Sequence, residues 1–150
     1  MKNSIAFSLL LILISCLASC AAPNFEKRYA AAVAESGGDF QDVTGPWEGT
    51  WLSGHNQHTG ELKAIVSKSP KGQNRYRFLY WATWAKMKGT FKFEGDSVED
   101  GGVVKMSGAK RLGPFQYTHK AEMTKDQFEA TYGSDKEDFG TFQLHRPEAN

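Results

Sequence analysis

Cysteine is almost absent from this chain of 150 residues, and its two cysteines, Cys16 and Cys20, both lie near the N-terminus. No disulfide can therefore cross-link the chain after residue 20, and no cysteine-based metal site or cysteine nucleophile is available there. The stability of a folded domain must then come from a hydrophobic core. Aromatic side chains for such a core are present, because all four Trp residues follow Gly45.

A marked net charge is also lacking. Lys and Arg number 18 against 17 Asp and Glu, which gives a formal net charge of +1. Such a balanced chain has no general electrostatic attraction to nucleic acid, so we expect no nucleic-acid partner. Catalytic motifs are missing as well, since the sequence contains neither a Gly-x-Ser-x-Gly nucleophile elbow nor a glycine-rich phosphate loop between a strand and a helix. We therefore expect a protein that is not an enzyme and needs no cofactor.

The N-terminus carries an apolar run, from Ile5 to Leu17, that follows the positively charged Lys2. The run is too short to span a bilayer as a stable helix, which favours a signal peptide. Its end resembles the lipobox of bacterial lipoproteins, with the sequence Leu17-Ala18-Ser19-Cys20. This resemblance implies cleavage before Cys20, acylation of Cys20 and attachment to a membrane through the acylated residue. Several acyl chains on one residue hold a protein firmly in a membrane.

Two alternatives to this interpretation remain open. Leu13-Ile14-Ser15-Cys16 also fits a lipobox, so Cys16 is a second candidate for acylation. The small residues of Cys20-Ala21-Ala22 can also serve ordinary signal peptidase, which would give a soluble secreted protein. With Cys20 as the acylated residue, the next residue is Ala21 and not the Asp that resembles an inner-membrane retention signal. We therefore expect a lipid-anchored protein of the cell envelope, in the outer membrane and facing the periplasm or the exterior.

The sequence predicts three regions: a lipoprotein signal peptide at 1–19, a tether at 20–44 and a β-barrel domain at 45–147. Within the tether, Phe25, Tyr29 and the neighbouring alanines can form a short helix that ends at Gly37-Gly38. The alanines bury little area, however, and a lipid-anchored domain needs a spacer from the membrane. A tether is therefore the favoured interpretation of this region, and a short helix is the alternative.

After Thr44 the sequence changes to short segments bounded by turn residues, a pattern typical of an antiparallel sheet. Eight strands are predicted at 47–53, 61–69, 75–84, 86–94, 103–110, 115–123, 128–132 and 139–146. Alternation places Phe115, Tyr117, His119, Ala121 and Met123 on one face of their strand. We therefore expect an all-β fold, as a single antiparallel up-and-down barrel or a strongly curled meander of about eight strands, because closure removes exposed strand edges.

The segment Gly45-Pro46-Trp47-Glu48-Gly49-Thr50-Trp51 resembles the opening strand of lipocalin-like barrels, in which a Gly-x-Trp places an indole across the barrel floor. The resemblance implies structural roles at the floor for Trp47 or Trp51, with Arg146 covering the indole. The domain is also similar to small secreted bacterial β-domains that share Gly-Thr-Trp, Gly-His, Phe-x-Ala-x-Tyr and Gly-x-Phe features. Those features are Gly49-Thr50-Trp51, Gly54-His55, Phe128-Glu129-Ala130-Thr131-Tyr132 and Gly140-Thr141-Phe142.

The remaining candidate residues are histidines and aromatics. His55 and His58, with Glu61 as an oxygen ligand, have a spacing that can bring two imidazoles to one metal ion, but a third strong ligand is missing, so we expect no metal site. His119 and Tyr117 share an apolar strand face and can contact a ligand inside a barrel. Trp81 and Trp84 are candidates for a surface that contacts a partner protein or lipid.

These observations leave two functions close together. The first is a non-catalytic envelope lipoprotein whose filled barrel serves as a structural or protein-interaction module, with another envelope protein as a possible partner. The alternative is binding of a small apolar or amphipathic ligand inside the barrel, because a barrel of eight strands can be packed solid or hold one ligand.

Overall fold

The computed structural model describes residues 22–148. Cys16, Cys20 and the predicted signal peptide lie outside the described residues. The described chain begins with one helix, α1 (Ala22–Ser36), and continues as eight strands: β1 (Gly45–Ser53), β2 (Thr59–Lys68), β3 (Arg75–Trp84), β4 (Met87–Asp100), β5 (Val103–Leu112), β6 (Phe115–Met123), β7 (Gln127–Ser134) and β8 (Phe139–His145). No helix among residues 22–148 is long and apolar enough to cross a membrane.

The eight strands form a closed antiparallel barrel in which each strand pairs with its neighbours in sequence. The barrel closes where β1 pairs with β8, from Glu48 opposite His145 to Ser53 opposite Gly140. The predicted all-β up-and-down barrel is therefore confirmed. Each of the eight described strands has a neighbour on both sides, which removes the usual route to edge-to-edge aggregation.

Strand alternation positions the core, because every second side chain along a strand points into the barrel. On β6 the buried residues are His119, Ala121 and Met123, with exposed residues between them. The other strands also alternate, although β3 buries residues of both faces from Phe78 to Ala82. Together the strands bury one continuous cluster of apolar side chains inside the barrel, whose large members include Trp47, Tyr76, Phe78, Tyr80, Phe93, Phe128 and Phe142. The core thus fills the inside of the barrel.

One strand is longer than its sequence predicts. The Gly95-Asp96 pair predicts a loop that ends β4 near Glu94, yet β4 continues to Asp100. A Cβ atom on Gly95 would collide with the Ser107 carbonyl oxygen of β5. The glycine is therefore needed for the close approach of two strands and not for a turn. The turn itself uses Gly101 and Gly102, both with positive φ.

The two ends of the barrel differ. We call the end at which β1 begins the floor, and it contains Trp47 and the β2–β3, β4–β5 and β6–β7 turns. The opposite end, which we call the mouth, contains the β1–β2, β3–β4, β5–β6 and β7–β8 turns. The ladder between β4 and β5 covers only Asp96–Asp100 with Val103–Ser107, in the floor half. In the mouth half, Lys110 of β5 donates a hydrogen bond across this seam to the Lys92 carbonyl oxygen at 2.9 Å.

The region predicted as a tether is largely helical. Helix α1 begins at Ala22 and ends at Ser36, directly before Gly37 and Gly38, which both have positive φ. Phe25 and Tyr29 of the helix are buried against the outside of the barrel. The short helix that the sequence offered as the alternative therefore forms here, because its aromatic side chains, and not its alanines, provide the buried area.

Candidate functional site

The floor is built around Trp47, which is fully buried. Its Nε1 atom donates a hydrogen bond to the Val43 carbonyl oxygen at 3.0 Å, and its ring packs edge-on against Phe128. The Arg146 guanidinium carbon lies 3.7 Å from the centre of the Trp47 ring and 4.2 Å from that of Phe40. A cation stacked on two aromatic faces in this way is stabilised by the negative potential of the rings.

Arg146 also ties three chain segments together at the floor. Its nitrogen atoms donate hydrogen bonds to the carbonyl oxygens of Asp42, Thr44 and Pro46 at the start of β1. The Nε atom donates to the Lys125 carbonyl oxygen at 2.7 Å. The sequence had predicted that Arg146 lies within the last strand, but β8 ends at His145 and Arg146 follows it. These contacts close the floor with protein groups, which is a structural role.

Trp51 does not belong to the floor. It lies four residues further along β1, about 13 Å towards the mouth at the usual rise of a strand. Its Nε1 atom donates a hydrogen bond to the Thr83 carbonyl oxygen on β3 at 2.7 Å, and its side chain is only partly buried. Of the two tryptophans with structural roles predicted at the floor, the structure therefore places only Trp47 there.

The interior contains one buried polar pair, His119 and Tyr80. A hydrogen bond of 2.8 Å joins the Tyr80 hydroxyl to His119 Nε2, and both side chains are fully buried. Phe78, Phe93 and Phe142 surround the imidazole with ring centres 5.0 to 5.8 Å away. Among residues 22–148, His119 Nδ1 has no hydrogen-bond partner. Burial lowers the pKa of His119 to about 4, because a charged imidazole is disfavoured among apolar rings.

The mouth has a ring of half-buried aromatic side chains: Trp51, Trp84, Phe91, Tyr117 and Tyr132. The Tyr117 hydroxyl donates a hydrogen bond to the Asp138 carboxylate at 2.7 Å, and burial together with this carboxylate raises the pKa of Tyr117. Tyr117 and Trp84 are thus located at the rim of the barrel, whereas His119 lies below them in the core. The predicted contact residues His119 and Tyr117 share one strand face but occupy different environments.

Trp81 lies on the outer face of β3 and is buried beneath helix α1. Phe25 stacks on it with ring centres 6.3 Å apart. Lys63 Nζ lies 5.5 Å from the Trp81 ring centre and 5.1 Å from that of Tyr29, whose hydroxyl donates to Glu48 at 3.1 Å. The surface that Trp81 was expected to offer to a partner is therefore occupied by a segment of the same chain.

Sequence reasoning missed the residues of this helix interface. Phe25, Tyr29 and Val33 recur every four residues, which places them on one helix face. They pack with Ile65, Leu79 and Trp81 in a second cluster outside the barrel. The signal that could have revealed the interface is that four-residue recurrence, taken together with the unbroken apolar run from Phe78 to Ala82 on β3.

The candidate metal ligands His55, His58 and Glu61 do not form a metal-binding group in the described part of the chain. Among residues 22–148, no group of three or more His, Cys, Asp or Glu side chains is arranged to hold a metal ion. The backbone of the loop around His55 and His58 is instead ordered by Ser53, whose hydroxyl accepts hydrogen bonds from the backbone amides of His55 and Asn56. That the protein binds no metal stays a prediction.

A surface depression of about 420 Å³ lies outside the barrel wall at the floor end. Its lining residues are Lys71, Gly72, Asn74, Arg75, Asp96 and Ser97. It does not connect to His119, which is fully buried among aromatic rings. The depression therefore adds no ligand space to the interior.

Together these features describe a domain whose interior is packed with its own side chains. The floor is closed by Trp47 and Arg146, the interior is filled by rings, and the buried His119 has a single hydrogen-bond partner. Comparison with protein-family models and with curated proteins finds no match to this chain.

Proposed function

We propose that this protein is a lipid-anchored protein of the bacterial cell envelope whose barrel is non-catalytic and acts through its outer surface, as a structural or protein-interaction module. The observation that carries the proposal is the filling of the barrel interior by aromatic side chains around His119 and Tyr80. A ligand-binding barrel needs a pocket of roughly 300 to 1,000 Å³ lined by apolar groups. The rings of Phe78 and Phe91, which stack on Tyr80, and the tilted ring of Phe142 beside it occupy the part of the interior where such a pocket would lie.

The burial of His119 supports the absence of catalysis. A general base must come within hydrogen-bond reach of the proton that it removes from a substrate. His119 is fully buried, and its Nε2 atom is already joined to the Tyr80 hydroxyl. A substrate would have to displace several aromatic rings to reach it.

The anchor part of the proposal rests on the sequence Leu17-Ala18-Ser19-Cys20. In the proposal, Cys20 carries the lipid, the protein contacts the membrane through it, and Ala21 directs the protein to the outer membrane. Labelling of cells with radioactive palmitate tests this directly. We expect label in the wild-type protein and in Cys16→Ser, and none in Cys20→Ser. Label that persists in Cys20→Ser and disappears in Cys16→Ser would move the anchor to Cys16.

Binding of a small apolar or amphipathic ligand remains the second candidate function. The feature that favours it is the ring of half-buried aromatics at the mouth, which includes Trp84 and Tyr117. Titration of the mature, unacylated chain with a fluorescent fatty-acid analogue separates the two candidates. We expect no saturable binding. Saturable binding that unlabelled fatty acid displaces and that Tyr117→Ala weakens would favour the ligand-binding function.

A further inference from the structure

Helix α1 has a defined direction on the barrel. Phe25, near its N-terminus, stacks on Trp81, which lies in the mouth half of β3. After its C-terminus at Ser36 the chain reaches Phe40, which packs on Arg146 at the floor. The helix therefore runs from the mouth half of the barrel towards the floor, and its first residue is its closest point to the mouth.

The position of Cys20 in the sequence links this direction to the membrane. Cys20 precedes the first residue of α1, Ala22, by two positions. Two residues span at most about 7 Å. A lipid on Cys20 must therefore enter the membrane close to the start of α1, on the side of the barrel where the β3–β4 turn forms part of the mouth.

The mouth halves of β4 and β5, with the turn before β4, carry positive charge and no acidic residue of their own. We call the side chains of Lys86, Lys88, Lys92, Lys110 and Arg111 the basic rim. Residues 62–93 and 101–121 contain no Asp or Glu. Lys110 Nζ bonds the Lys92 carbonyl oxygen across the β4–β5 seam, so the two strands hold their charges side by side. Partial burial, and after it the proximity of Lys92, lower the pKa of Lys110.

The floor end of the same strand has the opposite character. Asp96, Glu99 and Asp100 lie there, next to the β4–β5 turn. Anionic phospholipid headgroups attract Lys and Arg that lie near the membrane surface and repel carboxylates. Asp96 is paired with Arg75 at 2.7 Å, so the repulsion at the floor end of β4 comes from Glu99 and Asp100, whereas the mouth end is attracted to an anionic membrane.

We propose that the basic rim, on the side of the mouth formed by β4 and β5, lies against the membrane that holds the lipid of Cys20, with anionic phospholipid headgroups as its partner. The acidic β7–β8 turn, with Asp135, Glu137 and Asp138, lies on another part of the mouth. This inference rests on the proposed acylation of Cys20. Trp84 and Met87, which face each other across the β3–β4 turn, provide apolar surface next to Lys86 and Lys88. Lysine side chains at such a position can extend their ammonium groups to the headgroups while their stems contact apolar surface.

Spin labels at the two ends of β4 test the proposal on the full acylated protein. The mature chain has no free thiol if Cys20 is acylated, so Lys88→Cys and Val98→Cys each introduce a single labelling site. The two positions are about 33 Å apart along one strand. Val98 is well exposed near the floor and is the matched control. The measurement is the collision rate of each label with a water-soluble nickel complex, in protein-free vesicles of phosphatidylethanolamine and phosphatidylglycerol.

We expect the label at residue 88 to be shielded from nickel several-fold relative to the label at residue 98. Lys86→Glu with Lys92→Glu, added to the Lys88→Cys background, should abolish this shielding, whereas Lys105→Glu with Lys125→Glu should leave it unchanged. Vesicles of phosphatidylcholine alone should reduce it. Circular dichroism of each variant verifies that the barrel is folded.

Three outcomes would overturn the proposal. Equal nickel access at residues 88 and 98 in a protein that stays on the vesicles would refute the orientation and leave the lipid anchor intact. Shielding that appears only in native membranes and not in protein-free vesicles would identify a protein partner instead of lipid. Reaction of the spin label with Cys20 itself would show a free thiol, and both the lipid anchor and the orientation that rests on it would then be wrong.

Discussion

The buried pair of His119 and Tyr80 predicts a strongly non-additive response to mutation. His119→Phe removes the partner of the Tyr80 hydroxyl, which is fully buried and joined to Nε2 at 2.8 Å. A buried polar group left without a partner costs about 1–3 kcal/mol. Tyr80→Phe leaves His119 Nε2 unpaired at a similar cost. When both residues are Phe, no orphaned group remains, and we expect the stability to return close to that of the wild type.

Urea unfolding of the four proteins of this cycle measures the coupling. Each single variant should lose about 1–3 kcal/mol and the double variant close to nothing, so the coupling energy, which is then the sum of the two single losses, is about 2–6 kcal/mol. His119→Phe also removes the Nδ1 atom, which is buried without a hydrogen-bond partner among the described residues of the wild type. We therefore expect His119→Phe to lose less stability than Tyr80→Phe. If the stability losses of the two single variants simply add in the double variant, the packed interior is refuted. Additive losses would mean that water or a ligand forms hydrogen bonds with the Tyr80 hydroxyl and the His119 imidazole.

The same residue predicts a dependence of stability on pH. Burial lowers the pKa of His119 from 6.5 to about 4 in the folded protein. Its contribution to stability is therefore complete above pH 6.5 and is lost as the pH falls towards 4, because only the unfolded chain binds the proton in that interval. Between pH 7 and pH 5 the loss is about 2 kcal/mol. His119→Phe should lack this part of the pH profile. Parallel profiles for the two proteins would contradict the lowered pKa.

Three further predictions concern the floor and the helix. Trp47→Ala should lower the free energy of unfolding in urea by about 3–5 kcal/mol, the usual range for a buried large aromatic. Trp51→Ala should lower it by about 1–2 kcal/mol. Equal losses would argue against Trp47 as the residue that closes the floor. Arg146→Lys keeps the charge but loses the planar group that bonds several carbonyls, so we expect a loss of about 2 kcal/mol, and an unchanged midpoint would contradict this. Phe25→Ala should expose Trp81 and shift the tryptophan emission to longer wavelength while the far-ultraviolet circular dichroism of the barrel persists; unchanged emission would show that the helix does not cover it.

The positions of the strands could be predicted from the sequence because alternation and turn residues are local signals. Seven of the eight strands lie within a few residues of their predicted bounds. β4 was the exception, because a glycine can end a strand at a turn or allow two strands to approach closely, and the sequence does not distinguish these two roles. Gly95 permits the close approach of Met106 and Ser107 and does not end the strand. Only the pairing of β4 with β5, which is a contact between separate segments, shows which use applies.

The division of roles between Trp47 and Trp51 could not be predicted, because both residues have the same alternation on β1. Their difference depends on what lies at each end of the barrel. Arg146 reaches Trp47 from more than ninety residues away in sequence, and Thr83 accepts the hydrogen bond of Trp51. Such long-range partners follow from barrel closure, which sequence periodicity alone does not specify.

The docking of α1 has a consequence for the way in which the protein is held at a membrane. β3 buries Leu79 and Trp81 on its outer face as well as Phe78 and Tyr80 on its inner face, a pattern typical of a strand covered by a second layer. The covering layer is the segment that follows Cys20. On the proposal that Cys20 carries a lipid, the barrel is then not suspended on a flexible spacer of about 25 residues, which would let it rotate freely. The helix instead couples the anchor to one side of the barrel, so substitutions at Phe25 and Tyr29 should change the orientation of the barrel at the membrane without changing its attachment.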